Sequence, residues 1–211
     1  MTWRYRDAVK RLHRKDLFGW SRFDEARNID FHSVLWVRDG GNVAIDPLPL
    51  SEHDRQHLAA LGGVATIVIT SSDHTRAAAA LAQELGAELL GPAGEQSTFP
   101  LACRRWLADG DEIVPGLRVH ALEGSKTPGE LALVLDGSTL ITGDLIRAHE
   151  GGRLCLLPDA KLADREAAIT SVRRLASIPT LEAVLPGDGW PVFHAARAVL
   201  DELVASLGRP A

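Results

Sequence analysis

The sequence predicts an α/β fold, a four-layer α/β/β/α sandwich built as a single domain over residues 1–211. Three observations carry this expectation. Ile67, Val68 and Ile69 form a β-branched run without alternation, the pattern of a strand covered on both faces. Small polar residues break that run at once, and an alanine-rich helical stretch follows them. Both halves of the chain then place strands first and helices later, which suits two sheets sandwiched between helices. With 211 residues, 45% of them apolar and 24% charged, the chain is long enough to bury one sizeable core.

In chain order, residues 1–30 are expected to be an N-terminal extension packing on that core. This segment carries Trp3, Tyr5, Phe18, Trp20 and Phe23, aromatics that rarely stay together in water. It is expected either to cover one sheet edge or to pack on a second subunit as a homodimer. Residues 31–37 and 43–45 are two strands joined through Asp39, Gly40, Gly41 and Asn42, a hairpin turn whose glycines supply positive φ. Ser51 and Asp54 frame a capped helix start, and Gly62 and Gly63 stop that helix after Leu61. The strand at 67–69 leads into a helix expected over 76–85, ended by Gly86. Residues 87–90 form a further short strand. Residues 93–110 are expected to be irregular, with Trp106 buried.

Four more strands are expected at 113–114, 117–122, 131–135 and 139–142, the last two joined by an Asp136-Gly137 turn. Helical spacing of Ala167, Ile169, Val172 and Leu175 marks an amphipathic helix over 164–177. A strand at 183–185 and a final helix at 194–207 complete the chain.

Composition narrows the function classes. A net charge of −5 gives no reason to expect a nucleic-acid partner. The basic residues near the start are interrupted by Asp7 and Asp16, as on a solvated helix face. Cys103 and Cys155 are far apart and in no metal-ligand spacing, so they are expected to be thiols in a reducing compartment. The first residues lack the apolar centre of a secretory signal and no run reaches membrane-spanning length, which makes cytoplasmic the expected location.

The chemistry gathers at strand ends, where open α/β folds place it. The corners are Val43-Ala-Ile-Asp-Pro47, Ile67-Val-Ile-Thr70, Lys126-Thr-Pro-Gly129, Leu140-Ile-Thr-Gly-Asp144 and Leu185-Pro-Gly-Asp-Gly189. In this order they resemble the metallo-β-lactamase superfamily, which includes glyoxalase-II-like thioesterases and lactonases. The resemblance covers about residues 31–200. It implies a pocket in which imidazoles and a carboxylate hold two zinc ions and a bridging water.

This sequence departs from that ligand set. Aligned without gaps from Thr70, the first two histidines fall on Ser71 and Asp73, and the Asp-His pair falls on Thr75 and Arg76. The later histidines fall on Lys126 and Asp188, and only Asp144 stands as the family has it. A protonated lysine is no ligand and an arginine does not deprotonate. The expected pocket therefore holds Ser71, Asp73, Arg76, Lys126, Asp144 and Asp188, without a cofactor, the two cations supplying the charge and binding a small anionic molecule.

A second register, with two residues deleted after Thr70, places Asp73 and His74 on the Asp-His pair. Asp73, His74, Asp144 and Asp188 then offer one site for a divalent metal such as zinc, manganese or iron. His74 reads equally as an exposed residue in a first helical turn. Asp46 matches the family's supporting aspartate or caps backbone amides at a strand end. His32 and His120 lie in strands, and His149 and His194 follow the Asp144 and Asp188 corners. Ser71 has no evident histidine and acid beside it, so a serine hydrolase is not expected. Three functions stand open: a divergent hydrolase-like protein with the Asp/Lys/Arg cluster, a single-metal hydrolase of an ester, thioester or lactone, and a non-catalytic binding or scaffold protein.

Overall fold

A computed structural model describes residues 9–208. The first sheet takes seven strands in chain order: β1 (Lys10–Arg11), β2 (Leu17–Asp24), β3 (Ile29–Trp36), β4 (Val43–Ile45), β5 (Thr66–Val68), β6 (Glu88–Pro92) and β7 (Arg105–Leu107). Pairing is antiparallel from β1 to β4 and parallel from β4 to β7. The second sheet holds β8 (Glu112–Val114), β9 (Leu117–Ala121), β10 (Leu131–Leu135), β11 (Thr139–Thr142) and β14 (Ala183–Pro186), in the order β14-β11-β10-β9-β8. Here only β11 and β14 run parallel. Between them in sequence, β12 (Ile146–Glu150) and β13 (Arg153–Leu156) form a separate ribbon.

Side-chain alternation explains the layers. In the first sheet Val34, Trp36, Val43, Ile45 and Val68 point inward. They meet Leu117, Val119, Leu131, Leu133, Leu135, Ile141 and Leu185 of the second sheet. Their neighbours Leu35, Ala44 and Ile67 point outward, onto α1 (Glu52–Ala60) and α2 (Ala78–Leu85). On the far side Ala132, Val134, Leu140 and Val184 receive α3 (Arg165–Ala176) and α4 (Ala196–Leu207). Both faces of each sheet are covered, so the central strands read as unbroken apolar runs. The architecture is the α/β/β/α sandwich.

Local chemistry sets the helix ends. Ser51 caps α1 in a reciprocal box with Asp54, and Asp164 caps α3 by accepting from the amides of Glu166 and Ala167. Asp136 and Gly137 both adopt positive φ in the β10–β11 turn.

Several expectations are corrected. The second helix begins at Ala78 rather than 76, because the chain first makes a 3-10 turn, Ser72–His74, and Arg76 then takes φ +40°. Residues 93–110 are not wholly irregular: β7 lies in them, and Trp106 is only half-buried, edge-on to Phe99. Residues 10–24 supply two strands, with Trp20 buried and its Nε1 donating to the Leu48 carbonyl. Phe23 is exposed, and Trp3 and Tyr5 lie outside the described residues. Among the described residues no helix is long and apolar enough to cross a membrane.

Gly189 fixes the last corner. At φ +88° it donates to the Asp30 carbonyl, and a Cβ there would collide with the Ala148 carbonyl. Gly189→Ala is expected to cost about 1–3 kcal/mol. Urea denaturation of the two proteins measures it, and an unchanged midpoint would show that the corner relaxes freely.

Candidate functional site

The parallel strand pairs bring the polar corners together. β4 and β5 end at Asp46 and Thr70 in one sheet, while β11 and β14 end beside Asp144 and Asp188 in the other. Backbone bonds stitch these ends together, two of them between the sheets and the Gly187–Thr142 bond within the second. Leu131 N donates to Thr70 O at 2.8 Å, Gly187 N to Thr142 O at 2.8 Å and His32 N to Gly187 O at 2.9 Å.

Asp46 is the anchor, 3% exposed and at φ +47°. Its Oδ1 accepts from Thr70 N at 2.8 Å and its Oδ2 from Thr70 Oγ1 at 2.6 Å. The same Oδ2 lies 2.8 Å from His74 Nδ1. The 3-10 turn tips His74 into the interior, 3% exposed, with Nε2 3.5 Å from Asp144 Oδ1. It is not an exposed helix residue. Burial pulls the His74 pKa down, but the Asp46 charge and the bonds to Asp144 and Asp46 prevail and raise it to about 10.

Lys126 spans two carboxylates, with Nζ 2.6 Å from Asp73 Oδ2 and 2.7 Å from Asp144 Oδ2. Burial lowers its pKa, and the bonds to Asp144 and Asp73 more than offset this, for a net rise. Burial alone would raise Asp144. Its bond to His74 and the charges of His74 and Lys126 instead hold it well below the usual carboxylate range. Asp73 is half-exposed at the rim, whereas Asp144 is buried.

Arg76 works as a clip between layers. Its guanidinium donates to the carbonyls of His32 (2.5 Å), Asp46 (3.1 Å) and Gly187 (3.3 Å), and it stacks over Phe31. It stands 3.8 Å from Asp188 Oδ1. The close partner of Asp188 is Arg147, at 2.5 Å from Oδ2, both side chains buried.

These groups line one cavity of about 630 Å³, with Asp73, His74, Arg76, Lys126, Asp144, Arg147 and Asp188 on its wall. Arg27 and Lys161 stand among the lining residues too, and Ile29, Phe31, Leu48 and Leu157 add an apolar side. Ser71 is corrected. It is fully buried at the end of the strand, its Oγ without a hydrogen-bond partner, and it does not line the cavity. Extended backbone at Ser71 turns its side chain inward before the 3-10 turn redirects the chain. His149 and His194 are exposed and His120 half-buried, all off the cavity wall, while His32 lines a second, more apolar groove.

Sequence reasoning missed Arg147, Glu130 and Glu95. Arg147 lies three residues beyond Asp144 in β12, where a cation between Ile146 and Ala148 was the available signal. Glu130 is fully buried, accepting from Ser125 Oγ and from Leu145 N at 2.8 Å. Burial pushes its pKa up to about 7, against the Ser125 bond. Glu95 accepts from Ser72 N at 3.0 Å and so supports the 3-10 turn.

The donor set fits one metal ion better than two. His74, Asp144 and Asp188 each offer one atom, all within 4.8 Å of one another. His74 Nδ1 is engaged by Asp46, Asp144 Oδ2 by Lys126 and Asp188 Oδ2 by Arg147. What remains is one nitrogen and two oxygens, short of the three or four protein donors each ion of a zinc pair needs.

The His74 pKa has a consequence for stability. Its folded value, about 10, lies above the 6.5 of the free group. The stabilisation is therefore complete below about pH 6.5 and is lost as pH rises toward 10. Unfolding free energy is expected to fall from pH 7 to 9, and the slope should flatten in His74→Gln. Urea titrations at three pH values test this; parallel slopes for the two proteins would overturn it.

Comparisons with known proteins agree with this fold. The family model described as the metallo-beta-lactamase superfamily matches residues 9–207. Hydroxyacylglutathione hydrolases of Rhizobium etli and Rhizobium johnstonii are each 30% identical over 129 residues, 59% of this chain and 47% of theirs. The chain thus matches about half the length of these curated relatives. Among solved structures, a metallo-beta-lactamase from Pontibacter korlensis superposes with TM-score 0.74 at 16% identity, over 96% of this chain and 99% of that one. The FIM-1 metallo-beta-lactamase of Pseudomonas aeruginosa, in its mono-zinc form, gives 0.73 at 13% identity over 96% of each chain. At such identities the structures establish the fold alone, while the family match spans nearly the whole sequence. The chain belongs to the metallo-beta-lactamase superfamily.

Proposed function

We propose that this is a hydrolase-like member of the superfamily in which an Asp/Lys/Arg cluster replaces the dinuclear zinc centre, and that its pocket takes a small organic anion. The observation that carries the reading is Lys126 Nζ held between Asp73 and Asp144 at 2.6 and 2.7 Å. An ammonium there supplies the counter-charge a metal would otherwise bring. With His74 protonated, four positive groups (Lys126, Arg76, Arg147, His74) face the carboxylates of Asp46, Asp73, Asp144 and Asp188. Such a set is compensated without an ion, as buried charge requires.

The cavity wall favours anions beyond this balance. Arg27, Arg76, Lys126, Arg147 and Lys161 line it against three carboxylates, Asp73, Asp144 and Asp188. The apolar side formed by Ile29, Phe31, Leu48 and Leu157 suits an acyl or similar body carrying a carboxylate or phosphate. An anionic thioester is the substrate class that the relatives' name suggests for testing.

A second reading is favoured by one feature. Asp46 fixes His74 through Nδ1 and leaves Nε2 facing Asp144, the carboxylate–imidazole arrangement that orients metal-binding histidines. On that reading His74, Asp144 and Asp188 would hold one zinc, manganese or iron ion, which would act as a Lewis acid on a bound carbonyl. Asp73, paired with Lys126 at the rim, stands outside that donor group.

Elemental analysis of protein purified without chelator is expected to find less than one equivalent of zinc per chain. Two tightly bound equivalents would overturn the proposal, and one equivalent of a transition metal would select the second reading. Lys126→Met is expected to cost about 1–3 kcal/mol, between the values for exposed and buried pairs, because Lys126 is 29% exposed while Asp144 loses a partner. Lys161→Met should leave the melting temperature unchanged and weaken inorganic phosphate binding several-fold by calorimetry. Wild-type protein that binds no phosphate would refute the anion pocket.

A further inference from the structure

We propose that Glu130 is the positioning residue of this pocket: its buried carboxyl group ties the turn carrying Lys126 to the turn carrying Asp144. The inference rests on reading Lys126 and Asp144 as the pair that stands in for the metal. One oxygen of Glu130 accepts from Ser125 Oγ, beside Lys126 in the chain. The other accepts from Leu145 N at 2.8 Å, beside Asp144. Each donor is thus the neighbour of one member of the 2.7 Å ammonium–carboxylate pair.

The backbone of the same residue extends the tie. Glu130 O accepts from Leu122 N at 2.8 Å, at the end of β9, and the next amide, Leu131 N, reaches Thr70 O in the other sheet. Glu130 therefore lies where three corners meet: the one leading to His74, the one holding Lys126 and the one holding Asp144. Close packing leaves little alternative placement for the carboxylate. A Cβ on Gly143 would stand 3.0 Å from Glu130 Oε1 and 2.9 Å from Thr70 Oγ1. Glycine at 143 is thus what lets the carboxylate lie against the Asp144 turn.

A space-filling role does not account for an acid here. Glu130 is 0% exposed and stands off the cavity wall, and burying a carboxylate is costly unless its oxygens are bonded. A leucine would fill the volume without that cost, but it would leave Ser125 Oγ and Leu145 N unpaired. Two donors from two separate turns require one acceptor between them. Glutamine meets most of that requirement, with its carbonyl facing Leu145 N and its amide donating to Ser125 Oγ.

The test reads Lys126 directly and needs no ligand. Lysine is present at only four positions, 10, 15, 126 and 161, so nitrogen-labelled lysine gives a sparse spectrum in which Lys126→Met assigns the signal. Hydrogen exchange of the Lys126 ammonium is measured at pH 6 and low temperature in wild type, Glu130→Gln, Glu130→Leu and Ser125→Ala. Exchange is expected within about twofold of wild type for Glu130→Gln, and at least about tenfold faster for Glu130→Leu, with Ser125→Ala between them. Should Glu130→Leu fail to fold, Ser125→Ala, which cuts only the arm toward Lys126, decides. Exchange unchanged in Ser125→Ala and in any folded Glu130→Leu would overturn the proposal. Failure of wild-type protein to bind phosphate would refute the anion pocket instead, and leave this measurement standing.

Discussion

Everything in the pocket depends on the carboxylate of Asp46. It terminates β4 in a left-handed conformation that a residue with a Cβ reaches only at a cost of about 1 kcal/mol or more. Its side chain compensates by accepting from Thr70 N and Thr70 Oγ1 and by bonding His74 Nδ1. Charge-assisted bonds of this kind are stronger than neutral ones, and three of them converge on one buried group. They draw the end of β5 against the end of β4 and rotate the imidazole toward the second sheet. Without that grip, His74 would have no reason to leave solvent, and Asp144 would lose its inner partner.

The second constraint is compensation of charge. Asp144 and Asp188 follow strand ends and are almost fully buried, and a buried carboxylate without partners costs several kcal/mol. The chain meets this with cations from three separate places: Arg76 after the 3-10 turn, Lys126 between β9 and β10, and Arg147 in β12. None of the three is a neighbour in sequence of the acid it faces most closely. Such pairs add little net stability over well-packed apolar residues, but they hold fixed positions for charge on a cavity wall. Arg76 illustrates the difference, since carbonyls from three segments hold its guanidinium more closely than Asp188 does.

What the sequence disclosed follows from how local each signal is. The central strands were legible because a residue pair such as Ile67 and Val68, one facing each layer, needs apolar side chains on both faces. The turns at Asp136-Gly137 and Gly62-Gly63 were legible because positive φ selects glycine and aspartate. β7 escaped because three residues, Arg105 to Leu107, carry too short a pattern, and β12 because Arg147 and His149 break its apolar run. In the site, Asp144 and Asp188 stood out as acids in glycine-flanked corners. Which of Asp73 and His74 faces inward could not be read along the chain, since a 3-10 turn and an α-helical turn rotate successive side chains by different angles. The partners Arg147 and Glu130 are fixed only by contacts between sheets, which no local pattern records.

The two occupancies proposed for the pocket compete for the same atoms. In the metal-free cluster His74 keeps the proton that its raised pKa implies, and Asp144 takes charge from both His74 and Lys126. An ion bound at His74, Asp144 and Asp188 requires a neutral imidazole, so its binding must release that proton. It must also share Asp144 with Lys126 and Asp188 with Arg147, adding two positive charges to a set already compensated. The same Asp46 that orients Nε2 toward a metal therefore opposes it at neutral pH, by making the imidazole a stronger base. Metal uptake should become easier as pH rises, in the range where the protonated cluster loses stability. The balance between the two states is set less by the number of donors than by how strongly Asp46 and Asp144 hold one proton on His74.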